Sequence, residues 1–539
     1  MITGNGKMLI AVENGKITKL FWPTVNNFQN MAESRLGVFS FEENSVSWLD
    51  EWKTTQQYLQ DSNILETTAK KGRLTISIKD FALPLQDCVV RMVSANEPSA
   101  VYCYTKTQLG ENQKKDSVIF EGSVLHKNKK AALRIFSPDE VKEHDMGENI
   151  NFDSPQERNA GESSSMVSFF TTPANNGETH SVNIFIAISN SVKNTNRVMT
   201  NALNTEPSKW LYKTQFHWKK WLERSKLTDP KGKRALLNMK TLMDENHGGF
   251  AASAAARYSW IRDSVYAAYA FDLAGYHSEA SKFYAWLKTA ITKHKYLLFA
   301  DGTATSNNEK RTDQLATAVW GIYSHYTKTN DAKFLTSMWN TVRYAAEELQ
   351  KNFNPKTGLM SPSMTPWEDS FNVNAYTASS SCSAFGAAAA MAKKLGHENL
   401  SQEWLTVAEK LKESYLFMCS DETYHRAYNE KDVDSYMLSM LVPFNMADTW
   451  AEKTEKTIEK IEKSLWDNGL KRNSASSKAC FVSTAWLAWV HKKSGNMKKY
   501  RIIMDMINEN FTGLGVPSTA AENDVSLWPN AMYVIARMD

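Results

Sequence analysis

Cysteine is scarce in these 539 residues and follows no pattern. The five thiols, Cys88, Cys103, Cys382, Cys419 and Cys480, are far apart and odd in number, and no CxxC or Cys/His ligand spacing occurs. That argues against a disulfide framework and against a zinc module. Buried free thiols in a reducing compartment are the simplest account. No metal and no cofactor is expected. Long apolar runs are missing too. No stretch of 18 apolar residues is present, so no membrane-spanning helix is expected. The N-terminus, MITGNGKMLIAVENGK, lacks the basic start and apolar run of a secretory signal, which leads us to expect a cytoplasmic protein. Charge of one sign is also lacking. The net charge is +4 with acids and bases interspersed, whereas a nucleic-acid binder would cluster its basic residues.

Aromatic residues are abundant. Seventeen Trp and twenty Tyr suit a protein that binds sugar faces, but a large core uses such rings as well. The length exceeds one typical core, so two or more domains are expected. Residues 1–205 read as strands. RLTISIKDFAL (73–83), AVYCYTKTQL (100–109), AALRIFS (131–137) and HSVNIFIAIS (180–189) are β-rich and separated by turn signals such as ANNGE. This pattern predicts an N-terminal antiparallel β-sandwich. The polar segment 138–165 reads as loop. Residues 206–230 read as a helical linker around PSKWLYKTQFHWKKWLERSK.

Beyond about Lys231 the period is helical throughout. About twelve helices are expected in 231–539, one of them over 432–442. Their connections alternate between short links, such as GHEN and SGN, and long loops rich in Trp, Asp, Glu, Arg and Gly. That alternation predicts an (α/α)6 barrel with every long loop on one face, where function concentrates.

The long loops hold the candidate site residues. In GGFAASAAARYSWIRDS, Arg262 and Asp263 fall at a helix start beside Tyr258 and Trp260. Asp263 is either a first-turn charge on the helix dipole or, with Arg262, a bidentate pair for sugar hydroxyls with aromatic walls. In GLMSPSMTPWEDS, Glu368 follows Trp367. A carboxyl packed on an indole is desolvated and suits a general acid; the alternative is a loop in which Asp369 or Ser370 merely caps a turn. The loop DNGLKRNSASSK supplies Arg472, and GLGVPSTAAENDVSLWPN supplies Glu522 and Asp524.

GGFAASAAARYSWIRDS, GLMSPSMTPWEDS and FVSTAWLAWVHKKSGN followed by GLGVP, in that order, resemble the family 15 glycoside hydrolases. These include bacterial glucoamylases, glucodextranases and some trehalases. GNGKMLIAVENGKITKLFWP resembles the start of their bacterial sandwich domain. The resemblance implies a β-sandwich followed by an (α/α)6 barrel, an oligosaccharide or polysaccharide substrate in the barrel mouth, and inversion at the anomeric carbon. An acid and a base roughly 6.5–9.5 Å apart would flank the bond. By motif match Glu368 takes the acid position. Arg262 and Asp263 hold the terminal sugar with Tyr258, Trp260 and Trp367, Asp369 is the carboxylate after the acid, and Arg472 matches a loop arginine.

One motif departs from the family. Its base is usually glutamate in G-L-x-P-E-Q, but GLGVPST puts Ser518 directly after the proline. A serine cannot act as an anionic base without a partner. Glu522 is the nearest carboxylate and the candidate general base, with a solvated loop role as the alternative. The loop DGTATSNNEKRTDQ also lacks the family's tryptophan-bearing insert. The sequence therefore predicts an inverting hydrolase of α-glucans or α-glucosides. The alternatives are an inactive glycan-binding relative, a glycoside phosphorylase and, last, a polysaccharide lyase.

Overall fold

Alternating apolar residues dictate the first half of the chain. In the computed structural model, which describes residues 1–40, 44–111, 115–173, 179–291, 297–304, 311–512, 515–518 and 524–539, strand His180–Ser189 turns Val182, Ile184, Ile186 and Ile188 into one core. Its opposite face sends Phe185 and Ala187 into a second cluster with Met199, Ala202 and Trp210 from the helices Val192–Leu203 and Pro207–Leu222. Both faces are covered, which is why this strand reads as a nearly continuous apolar run.

Two antiparallel sheets form this half. One runs through the strands Leu9–Glu13, Lys16–Phe21, Met31–Ser40, Ala100–Thr107, Ser164–Phe170 and Val141–Met146. The other runs through Ala132–Phe136, His180–Ser189, Cys88–Ala95, Leu74–Ala82, Leu65–Lys71 and Lys53–Tyr58. The core between them takes Ile10 and Val12 from the first sheet and Ile76 and Ile78 from the second. The stretch expected as loop over 138–165 contains the strands Val141–Met146 and Ala160–Glu162. Polar residues hide the first of these, although it is fully paired along Ser164–Phe170. Strands are set by cross-strand partners that no local pattern reveals.

The chain divides into two compact units, residues 1–224 with 240–246, and residues 225–239 with 247–539. In the second unit the helices fall into two kinds. Ile261–Ala274, Thr312–Thr329, Ala375–Lys394, Phe481–Lys493 and Leu527–Met538 are buried almost all round. His277–Ala290, Ala332–Gln350, Glu398–Met418, Glu452–Leu465 and Met497–Glu509 leave an exposed side. The buried set closes a ring with the 3-10 helix Ser435–Met440 between Ala375–Lys394 and Phe481–Lys493, and Leu527–Met538 packs back on Ile261–Ala274. This is an (α/α)6 barrel. The helix expected over 432–442 is a short 3-10 segment instead. Pro443 follows closely and cannot extend it.

Short links join four inner helices to the next outer ones, while the 3-10 helix is followed by the longer connection 441–451. Gly275 at φ 93 and Asn330 at φ 51 end two of the inner helices in the left-handed region that glycine and asparagine tolerate best. The long loops therefore gather where the inner helices begin. Among the described residues no helix is long and apolar enough to cross a membrane.

Candidate active site

The loop before helix Ala375–Lys394 is a small hairpin. Ser363–Met364 pairs antiparallel with Phe371–Asn372. The Thr365 N–H donates to the Ser370 carbonyl at 2.9 Å, and the Glu368 N–H donates to the Thr365 carbonyl at 3.0 Å. Asn374 ties this hairpin to the helix. Its side chain accepts from the Thr377 N–H at 2.9 Å and donates to the Ser363 carbonyl at 3.3 Å. Glu368 stands at the tip with φ 63, a left-handed conformation that strains any residue with a Cβ. Such strain is stored where geometry matters for function.

Trp367 is fixed from three sides. Its Nε1–H donates to Asp434 Oδ1 at 2.8 Å, its ring lies 5.4 Å from that of Trp528, and the Arg472 guanidinium stands 5.1 Å from its centroid. Asp434 in turn caps the 3-10 helix by accepting from the Tyr436 N–H at 3.0 Å. Burial pushes the Asp434 carboxyl up to about 8, against the lowering hydrogen bonds from Tyr436 and Trp367. Its Oδ2 is buried with no partner among the described residues, as suits a carboxyl that keeps its proton.

The first inner helix begins at Ile261, whose N–H donates to Gln314 Oε1 at 2.8 Å. In its first turn, Arg262 pairs with Asp313 at 2.7 Å and with Asp263 at 3.2 Å. The guanidinium lies 4.8 Å from the Trp528 ring. Burial works against the charge of Arg262, but Asp263 and Asp313 outweigh it and hold the guanidinium firmly protonated. Burial pushes Asp263 up to about 6, more than Arg262 lowers it.

Glu368 meets a cation rather than an indole face. Its carboxylate pairs with Arg311 at 2.6 Å, and its side chain keeps 41% of its exposure. The expectation of a carboxyl desolvated against Trp367 is corrected here. The carboxyl lines the shared cavity and stays partly exposed.

That cavity holds about 310 Å³, within the range of small-molecule pockets. Trp260, Arg262, Asp263, Trp367, Glu368, Arg472, Ser518 and Trp528 line it. Residues from four separate loops and the helix starts that follow them thus converge on one space. Two of the expected residues stand elsewhere. Tyr258 is not among the lining residues, and its ring lies 5.6 Å from Phe299. Asp369 holds the hairpin instead, accepting from Thr365 Oγ1 and from Asn473 Nδ2. Glu522 lies outside the described residues. Asp524 accepts from the Ala255 N–H at 3.3 Å. Ser518 donates to Ser526 Oγ at 2.9 Å, and its carbonyl accepts from the Phe481 N–H at 3.1 Å.

Sequence reasoning missed Arg311, Asp313, Asp434 and Trp528. Arg311 and Asp313 were within reach, since KRTDQ stands just before a helix, as IRDS does. Asp434 had no such signal, because an aspartate before a helical run reads as an ordinary cap.

Known proteins resemble this chain in sequence or in fold. Residues 233–341 match the family model described as glycosyl hydrolases family 15. An uncharacterised glycosyl hydrolase of Methanocaldococcus jannaschii is 25% identical over 522 residues, covering 86% of this chain and 82% of that one. A bacterial glucoamylase solved with acarbose shares the fold with a TM-score of 0.85 at 12% identity, over 100% of this chain and 93% of that one. A putative kojibiose phosphorylase from the human microbiome shares it with a TM-score of 0.62 at 11% identity, over 99% and 82% of the two chains.

Proposed function

Since this chain is glycosyl hydrolase family 15-like in sequence and fold, we propose that it hydrolyses α-glucosidic bonds with inversion, with Glu368 as the general acid. The observation that carries this reading is the convergence of Glu368, the Arg262–Asp263 pair and three indoles on one cavity. Indole faces pack the apolar side of a pyranose. The buried Arg262–Asp263 pair offers donors and acceptors fixed in advance, so little ordering is needed when a terminal sugar binds. Glu368 then lies beside the bond to the next sugar and gives its proton to the leaving oxygen. Its pair with Arg311 must open for that transfer, and a substrate hydroxyl can take up the released guanidinium.

Inversion needs a second carboxylate that activates water from the opposite face. Ser518 occupies the position at which the family resemblance expects that base, and its neutral hydroxyl cannot carry the charge. We assign the base to Glu522, four residues further along. A second reading follows from Ser518 as well. Phosphate in place of activated water needs no base, and Arg472 lines the same cavity as a cation.

One set of assays separates these readings. Purified protein is incubated with maltooligosaccharides, dextran oligosaccharides and trehalose, with and without inorganic phosphate, and product anomers are followed by NMR. Phosphate-independent release of β-glucose supports inverting hydrolysis. Release of a sugar phosphate only when phosphate is added supports phosphorolysis. Glu368→Gln is expected to lower turnover by about 10²–10⁴ while leaving the fold intact. Full activity in that variant would sink the assignment. Binding without any product after long incubation would make the chain a glycan binder.

A further inference from the structure

We propose that the N-terminal unit carries a second saccharide-binding site, an aromatic ledge on helix Pro207–Leu222 that takes a glucan chain. The inward face of this helix is supplied by Trp210, Trp218 and Trp221, all buried. Tyr212 and Phe216 are therefore not needed for the core. They are four residues apart, so they project from one face. Their centroids are 6.1 Å apart and their planes lie within 20° of parallel. Tyr212 is 68% exposed and Phe216 47%, with the Lys220 ammonium 5.5 Å from the Phe216 centroid, which leaves about half of the aromatic pair open to water.

A lone exposed ring needs no explanation, but this pair borders a hollow of about 500 Å³. Gln60, Asp61, Gln215 and Lys219 complete its lining. The side chains of Gln60, Gln215 and Lys219 are exposed. The ledge thus joins apolar ring surface to amide donors and acceptors that a ligand can take over from water. A pyranose matches both halves. Its C–H face packs on rings, and its hydroxyls exchange hydrogen bonds with amides. The choice of a glucan over other saccharides rests on the proposed hydrolase reading. A site of this kind would keep a polymer at hand while chain ends enter the cavity.

Affinity electrophoresis tests the ledge directly, in native gels cast with amylopectin, with dextran or with no polysaccharide. Arg262→Ala removes the clamp of the cavity, so retardation that persists in this variant reports a separate site. Adding Tyr212→Ala and Phe216→Ala is expected to weaken the apparent affinity by about tenfold. Circular dichroism melting checks that this chain is folded. Gln60→Ala with Gln215→Ala, which leaves the rings in place, is expected to weaken retardation as well. Turnover of a chromogenic α-glucoside should be unchanged by either ledge pair when it is placed in the protein that keeps Arg262. Three outcomes overturn the proposal: no retardation of the unsubstituted protein in any gel, retardation abolished by Arg262→Ala alone, or retardation indifferent to both ledge variants. Failure of the hydrolase reading would show in the turnover assay and leave retardation untouched.

Discussion

At the residue scale the site is a matter of which carboxyl keeps its proton. Asp434 holds its proton to about pH 8 in the folded chain, against an ordinary value of 3.8. Asp263 holds its own to about 6. Between roughly pH 4 and pH 8 these two carboxyls therefore bind more protons in the folded state than in the unfolded one. Their contribution to stability falls as pH rises through that window. Asp434→Asn keeps an acceptor for Trp367 and cannot ionise. Its melting temperature is expected to decline less between pH 5 and pH 8 than that of the unsubstituted protein. Parallel slopes would mean that Asp434 ionises normally. For the base, Glu522→Ala is expected to lower turnover by about 10²–10⁴, with little change in KM. Single-substrate kinetics on the best maltooligosaccharide checks it, and an unaffected kcat would remove Glu522 from the mechanism.

At the scale of the element, the hairpin 363–372 matters most because it carries the proposed acid on a strained turn. Glu368 has φ 63, and a left-handed residue with a Cβ costs about 1 kcal/mol more than glycine. Glu368→Gly should therefore unfold at higher denaturant than Glu368→Ala by about that amount, with both inactive. Equal stability would mean that the turn relaxes once the carboxylate is lost. Asn374 joins the hairpin to its helix through both ends of its amide. Asn374→Ala is expected to cost about 1 kcal/mol as a lost cap. It should cost more in kcat than in stability, since the acid loses its anchor. Denaturant melts and kinetics on the same preparation measure both.

The same scale shows what was legible. WIRDS and TPWEDS could be read because first-turn and hairpin-tip residues are adjacent in sequence. The Arg311–Glu368 and Arg262–Asp313 pairs could not, since each spans more than fifty residues. Tyr258 was read into the site from its nearness to Trp260. Strand and loop geometry sent its ring to Phe299 instead.

On the scale of the whole molecule, five free thiols run through both units, and four of them are buried. Burial pushes Cys382 up to about 11, so even the partly exposed thiol is a poor nucleophile at neutral pH. A thiol-reactive dye at pH 7.5 should label the native protein slowly, and at Cys382 first. In denaturant it should label all five. Rapid native labelling of a second site would show that a buried thiol opens readily. Reductant should leave the melting temperature unchanged.

The sequence by itself determined the fold class, because period-2 and period-3.6 hydrophobic patterns are local and each builds its own kind of layer. It also pointed to the long loops as the source of the cavity lining, since short links leave no room for it. Only the tertiary structure decided which loop residues meet. Closure of the inner ring brings the starts of helices far apart in sequence around one cavity. It decided as well that Glu368 faces a guanidinium, that a buried aspartate holds Trp367, and that Ser518 lines the cavity. These are consequences of long-range packing, for which adjacent residues hold no record.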